Sequence, residues 1–164
     1  MVVSNPAVSE QTGWPIGFWW AELTHPYWVF TEAGHQVTIA SPDGGALQAD
    51  GFSDPQPESG CSASNLISLG FTQSPAHAAL VEKTPSLASL ASLEMDSFDA
   101  RFLVGGQRIQ PFWIEDEARK PKDTTFITQS LFRAHALRDG NLITGQQQFS
   151  GSAAAGLVVE ALGR

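Results

Sequence analysis

A single cysteine, Cys61, stands among 164 residues, which excludes an intramolecular disulfide framework and any multi-cysteine metal site. Basic residues are scarce as well: nine Lys and Arg against 17 Asp and Glu give a formal charge of −8, with a pI near 4.8. Phosphate recognition needs a basic face, so nucleic acid is not an expected partner. No apolar run approaches the ~20 residues of a membrane span, and no membrane is expected either. The opening Met1-Val2-Val3-Ser4-Asn5-Pro6 lacks the basic-then-apolar pattern of a secretory leader. Charge of both signs is low at 16%, while hydrophobic residues reach 42%. A chain this apolar and aromatic is not a disordered acidic tail. Its length fits one domain, residues 1–164, able to bury a core, and the composition reads as that of a soluble cytoplasmic protein.

What is present is an alternation of strand and helix patterns. Val2-Val3-Ser4 reads as the end of a short buried strand. From Gly17 to Ala33 the residues Trp19, Leu23, Tyr27 and Phe30 recur at steps of four, four and three, which predicts a helix that Gly34 stops. Pro26 lies inside it and removes the bond to the carbonyl of Glu22. Residues 36–41 read as a strand closed by Pro42-Asp43-Gly44-Gly45. Strand, helix and strand in this order predict a parallel pair with a right-handed crossover. Residues 46–74, rich in Ser, Pro, Gly and Asp, read as an elaborated surface loop. Helices are expected over Pro75 to Lys83 and around Ser86 to Leu93, and a third strand over Phe98 to Val104. Arg101 is out of place in a buried parallel strand. Phe112 to Lys120 reads as a short charged helix. Leu131 to Leu137 and Asn141 to Thr144 flank Asp139-Gly140, a strong hairpin signal, and Gly151 to Leu162 reads as a closing helix. The fold class is α/β with a mainly parallel sheet.

Several segments, in order, resemble the ThiJ/PfpI superfamily, and within it the heat-shock chaperone and glyoxalase III-like branch. They are Thr12-Gly13 with Gly17-Phe18-Trp19-Trp20-Ala21-Glu22-Leu23-Thr24-His25-Pro26-Tyr27; Val37 to Gly45; Phe98-Asp99-Ala100 to Gly105-Gly106; Phe112 to Glu117; and Asp139-Gly140-Asn141-Leu142-Ile143-Thr144-Gly145-Gln146. The resemblance implies a class I glutamine-amidotransferase-like, flavodoxin-like architecture. That is a three-layer sandwich, incomplete here, ending in a β-hairpin and helix. It also implies the roles of two positions. Glu22 matches the acidic proton partner of the family's cysteine, a task for which burial suits a carboxyl by raising its pKa. Gly105-Gly106 match the turn whose backbone N–H groups form an oxyanion hole, where glycine leaves the donors bare.

The same resemblance exposes a gap. Relatives carry a strand, a sharp Cys-His turn and a helix after the position of Gly106, whereas here Gln107 alone precedes the segment beginning at Arg108. No Cys-His dipeptide occurs in the chain. Cys61 sits in the polar run Glu58 to Ser64 with no strand before it, and it lacks the positioned base that a nucleophile needs. His25, beside Pro26, reads as a packing residue and His135 as a strand surface residue. His35 and His77 have no partner at metal-ligand spacing, so neither a metal nor a cofactor is expected.

Three functional readings follow, in order. In the first, the chain resembles cysteine-dependent glyoxalase III, amidase or protease-like enzymes acting on small carbonyl compounds, but is inactive because the nucleophile turn is missing. In the second it is a non-catalytic chaperone-like or binding protein, with unfolded clients or a second copy as partners. In the third, Cys61 or a partner subunit supplies the nucleophile.

Overall fold

Val2 and Val3 form β1 (Val2–Val3), the middle of the principal sheet. The computed structural model describes residues 1–91, 97–105 and 114–163. β1 pairs in parallel with β2 (Leu103–Val104), Val2 opposite Leu103 and Val3 opposite Val104. On its other edge the Val3 N–H donates to the Ala40 carbonyl at 2.9 Å, and the Ala40 N–H to the Met1 carbonyl at 2.9 Å. Ser41 extends the arrangement outward through a parallel bridge to Ser86. β-Branched valines suit this position, since a central parallel strand is covered on both faces.

The first layer against the sheet is α1 (Trp20–Glu32), which buries Leu23, Thr24 and Phe30. With Val3, Phe18, Ile39, Phe71, Val81 and Val104, Leu23 forms the apolar core. α2 (Leu66–Gln73) and α3 (Pro75–Glu82) follow, joined at Ser74. α4 (Leu87–Ala91) precedes β2, and the short α5 (Ile114–Ala118) follows it. The chain then forms an antiparallel hairpin of β3 (Ala136–Asp139) and β4 (Leu142–Gly145) and ends in α6 (Gly151–Ala161), which packs across α1. The protein is therefore α/β, with one small parallel and one small antiparallel sheet.

Of the expected architecture the described residues show the α/β class, with two short ladders, one parallel and one antiparallel. Several finer expectations are corrected. The strand expected over 36–41 pairs only at Ala40 and Ser41. Its pleat is correct, because Gln36 and Thr38 are exposed while Ile39 is buried. The neighbouring β1, however, offers only two residues to pair with. The strand expected over 98–104 is laddered only at Leu103 and Val104 for the same reason, and Arg101 stands exposed before it.

The surface loop expected over 46–74 contains 3-10 turns at Gly51–Ser53 and Pro57–Ser59 and the whole of α2. The signal for α2 was a cap: the Asn65 side chain accepts from the Ser68 N–H at 3.1 Å, the standard remedy for an orphan donor at a helix start. The hairpin loop is Gly140-Asn141, one residue later than Asp139-Gly140, with Asp139 opposite Leu142. Gly140 has φ +57° and Asn141 has no positive φ, which is the II′ pattern with glycine at the first central position. Of the expected helices at Ser86–Leu93 and Phe112–Lys120, residues 92, 93, 112 and 113 lie outside the described residues.

Candidate functional site

Glu22 lies in the first turn of α1, and its placement depends on how α1 meets α6. Pro26 is fully buried one turn later. A Cβ added at Gly151, the first residue of α6, would lie 3.2 Å from the Pro26 ring and 3.4 Å from the Ala21 carbonyl. Pro26 thus sacrifices a helical hydrogen bond at the place where α6 crosses, and glycine at position 151 lets the two helices approach. The crossing sets Glu22 beside the start of α6.

A cavity of about 1160 Å³ opens there. Glu22, Gly105 at the end of β2, the β4 residues Ile143 and Thr144, and Ser150 and Gly151 all line it. The structure therefore brings Glu22 and Gly105 to the wall of one cavity. Burial pushes the Glu22 carboxyl up to about 7, because desolvation penalises the charged form. Near neutrality the group is divided between acid and carboxylate, the state a proton partner needs.

Gly105 carries no positive φ, and a Cβ there would meet nothing within 4 Å. Among the described residues neither conformation nor packing demands glycine at this position, and none of them covers its backbone. The Ser4 N–H donates to the Val104 carbonyl, so the alternation of the ladder turns the Gly105 N–H away from β1. Gly106, its expected companion, lies outside the described residues.

Cys61 is exposed, between the second 3-10 turn and α2, and is not part of the cavity wall. The His25 Nε2 lies 2.9 Å from the Asn65 Oδ1 and so ties α1 to the cap of α2. The buried hydroxyls of Thr24 and Ser68, 2.7 Å apart, do the same. The His77 ring packs against Tyr27 and Phe71, with its Nδ1 2.8 Å from the Ser74 hydroxyl. His35 and His135 each bury an Nε2 without a hydrogen-bond partner among the described residues. His135 is therefore half-buried rather than on the strand surface. Among the described residues no group of three His, Cys, Asp or Glu could hold a metal ion, and no helix is long and apolar enough to cross a membrane.

No site residue was expected on the far wall. Asn141 to Gln148 and the first turns of α6 line the cavity with Glu22. Their signal was the segment Asp139 to Gln146, in which only a hairpin was read.

No family model matches the chain, and no curated protein matches it. Its fold is similar to that in the X-ray structure of the Francisella tularensis Rapid Encystment Protein 24 kDa (REP24), with a TM-score of 0.84 at 16% identity. The match covers 99% of this chain and 97% of that one.

Proposed function

We propose that this chain is an internally shortened ThiJ/PfpI-like protein, built on a flavodoxin-like sandwich that is interrupted beside β2. It resembles enzymes acting on small carbonyl compounds but has no nucleophile, and so does not turn over. One observation carries this reading: Glu22, raised to about 7, and the bare Gly105 share a cavity, while the only thiol, Cys61, is exposed elsewhere. An acid partner and an oxyanion donor stabilise charge after a nucleophile has attacked, and neither can make the attack.

The test is thiol chemistry. Iodoacetamide at neutral pH should label Cys61 at the rate of free cysteine, and equally fast in denaturant. Labelling many times faster in the folded chain than in the denatured one would show an activated nucleophile and end this reading.

A second reading, a non-catalytic binding protein, is favoured by a different observation. Leu103 is 76% exposed and Leu142 is 65% exposed, and both line the cavity. Exposed apolar side chains gathered around one cavity mark an interaction site more often than chance exposure does. Suppression of the thermal aggregation of an unfolding client, lost in Leu103→Lys, is the outcome expected of it.

A further inference from the structure

Among the described residues Phe132 is the one non-glycine residue with a positive φ, +59°. It lies in the turn Ser130-Leu131-Phe132-Arg133, where the Arg133 N–H donates to the Ser130 carbonyl at 3.2 Å. A positive φ at the third position alone is the type II pattern, a place for glycine or asparagine, and a bulky residue there is an outlier. Two glutamines just after β4 hold the turn in that state. The Gln146 Oε1 accepts from the Gln129 N–H at 2.7 Å, and the Gln147 Nε2 donates to the Arg133 carbonyl at 2.9 Å. The Gln147 Oε1 also accepts from the Phe149 N–H, and the Phe149 ring stands edge-on to Phe132 with centroids 6.4 Å apart.

Nothing among the described residues offsets the strain by burial: Leu131 is 85% exposed, Phe132 72% and Phe149 54%. A strained backbone clamped in place around exposed apolar side chains points to a contact outside the chain. Charge selects the occupant. Residues 124–137 and 140–159 supply the turn, its glutamine clamps and Phe149. They contain no Asp or Glu and a single Lys or Arg, Arg133, in a chain of charge −8. Asp139 lies at the opposite end of β3, beside the hairpin loop. Two copies of so acidic a chain repel one another overall, and an acid-free face is where that repulsion is least. An anionic lipid surface repels the chain as well, and one cation at the turn does not offset that. The Arg133 guanidinium suits an aromatic face across a dimer axis. The three apolar side chains present about 400 Å² per copy against ~800 Å² in a standard interface, so the pairing is weak.

We propose that this turn is the contact through which two copies of the chain pair about a two-fold axis, the Leu131 and Phe132 side chains of each copy covering the turn of the other. Leu131, Phe132 and Phe149 take no part in the cavity wall. The inference therefore goes beyond both functional readings above, and the outcome of thiol labelling or client suppression leaves it untouched.

The test is sedimentation velocity of the full chain from micromolar to near-millimolar concentration, in reductant so that Cys61 does not bridge copies. A reversible monomer–dimer equilibrium is expected, tightened by added salt because screening relieves the repulsion between copies. Phe132→Gly should weaken pairing at least tenfold without lowering the urea midpoint of the dilute chain, since a φ of +59° suits glycine. Leu131→Ser, which leaves that φ alone, should weaken pairing as well, and it decides the matter if the glycine variant unfolds early. Leu66→Ser removes a leucine that is also mostly exposed and should change nothing. A chain monomeric throughout the range would overturn the proposal. So would a dimer indifferent to both turn variants, a dimer lost equally in Leu66→Ser, or monomers that float with vesicles of phosphatidylcholine and phosphatidylserine instead of pairing.

Discussion

Glu22 and Gly17 show how differently two residues of one segment act. Glu22 titrates near 7 in the folded chain against 4.5 for the free side chain. The native state therefore holds a proton between about pH 4.5 and 7 that the unfolded chain has released. Stability is highest below that window and falls as pH rises through it, by up to about 3 kcal/mol for a shift of this size. Glu22→Gln should raise the urea midpoint at about pH 8 and leave it nearly unchanged at about pH 4. A variant that is destabilised equally at both would mean the carboxyl is not desolvated.

Gly17 has a structural role. A Cβ there would lie 2.3 Å from the Gln48 carbonyl oxygen and 2.5 Å from the Ala49 carbonyl carbon, where Phe18 bridges Ala49. Gly17→Ala should cost about 1–3 kcal/mol in chemical denaturation, whereas Gly105→Ala, where the added Cβ meets none of the described residues, should be nearly silent. The sequence made Glu22 legible through its neighbours in the first helix. It assigned Gly17 no packing role, because close approach to residues 48–50 is a long-range fact.

At the scale of elements, legibility followed how local each cause is. α1, α3, the hairpin and α6 were readable because periodicity, a proline start or a glycine turn acts within a few residues. α2 was hidden within polar composition although Asn65 capped it, and it is held by contacts 44 residues distant, such as Thr24 with Ser68. The strand over 36–41 was overdrawn because a strand's length is decided by its neighbours and not by its own alternation. The crossing of α1 and α6 tests this element-level account. Gly151→Val should force the helices apart at Pro26 and destabilise the chain. Gly156→Ala, on the open side of the same helix, should stabilise it by about 0.5–1 kcal/mol. Thermal melts of the pair distinguish a packing requirement at position 151 from a general intolerance of side chains in α6.

For the whole molecule, the proposal of an interrupted sheet implies incomplete cover. The parallel ladder is two residues long, and large apolar residues such as Leu103, Leu131 and Phe132 are mostly exposed. Such surface invites association and loosens cooperativity. Strong binding of 8-anilinonaphthalene-1-sulfonate by the native chain and a broad thermal transition are the expected outcomes. A sharp two-state melt from a clean monomer would count against an interrupted fold.

The central claim is that a proton partner and a strand-end donor remain without a nucleophile, and turnover tests it most directly. Methylglyoxal conversion is measured for the chain as it stands, for Cys61→Ser, and for a chain carrying a relative's strand–turn–helix block with Cys-His between Gly106 and Arg108. The account predicts no turnover in the first two and activity in the third, lost again on Glu22→Gln. Robust turnover by the unaltered chain, abolished by Cys61→Ser, would contradict it.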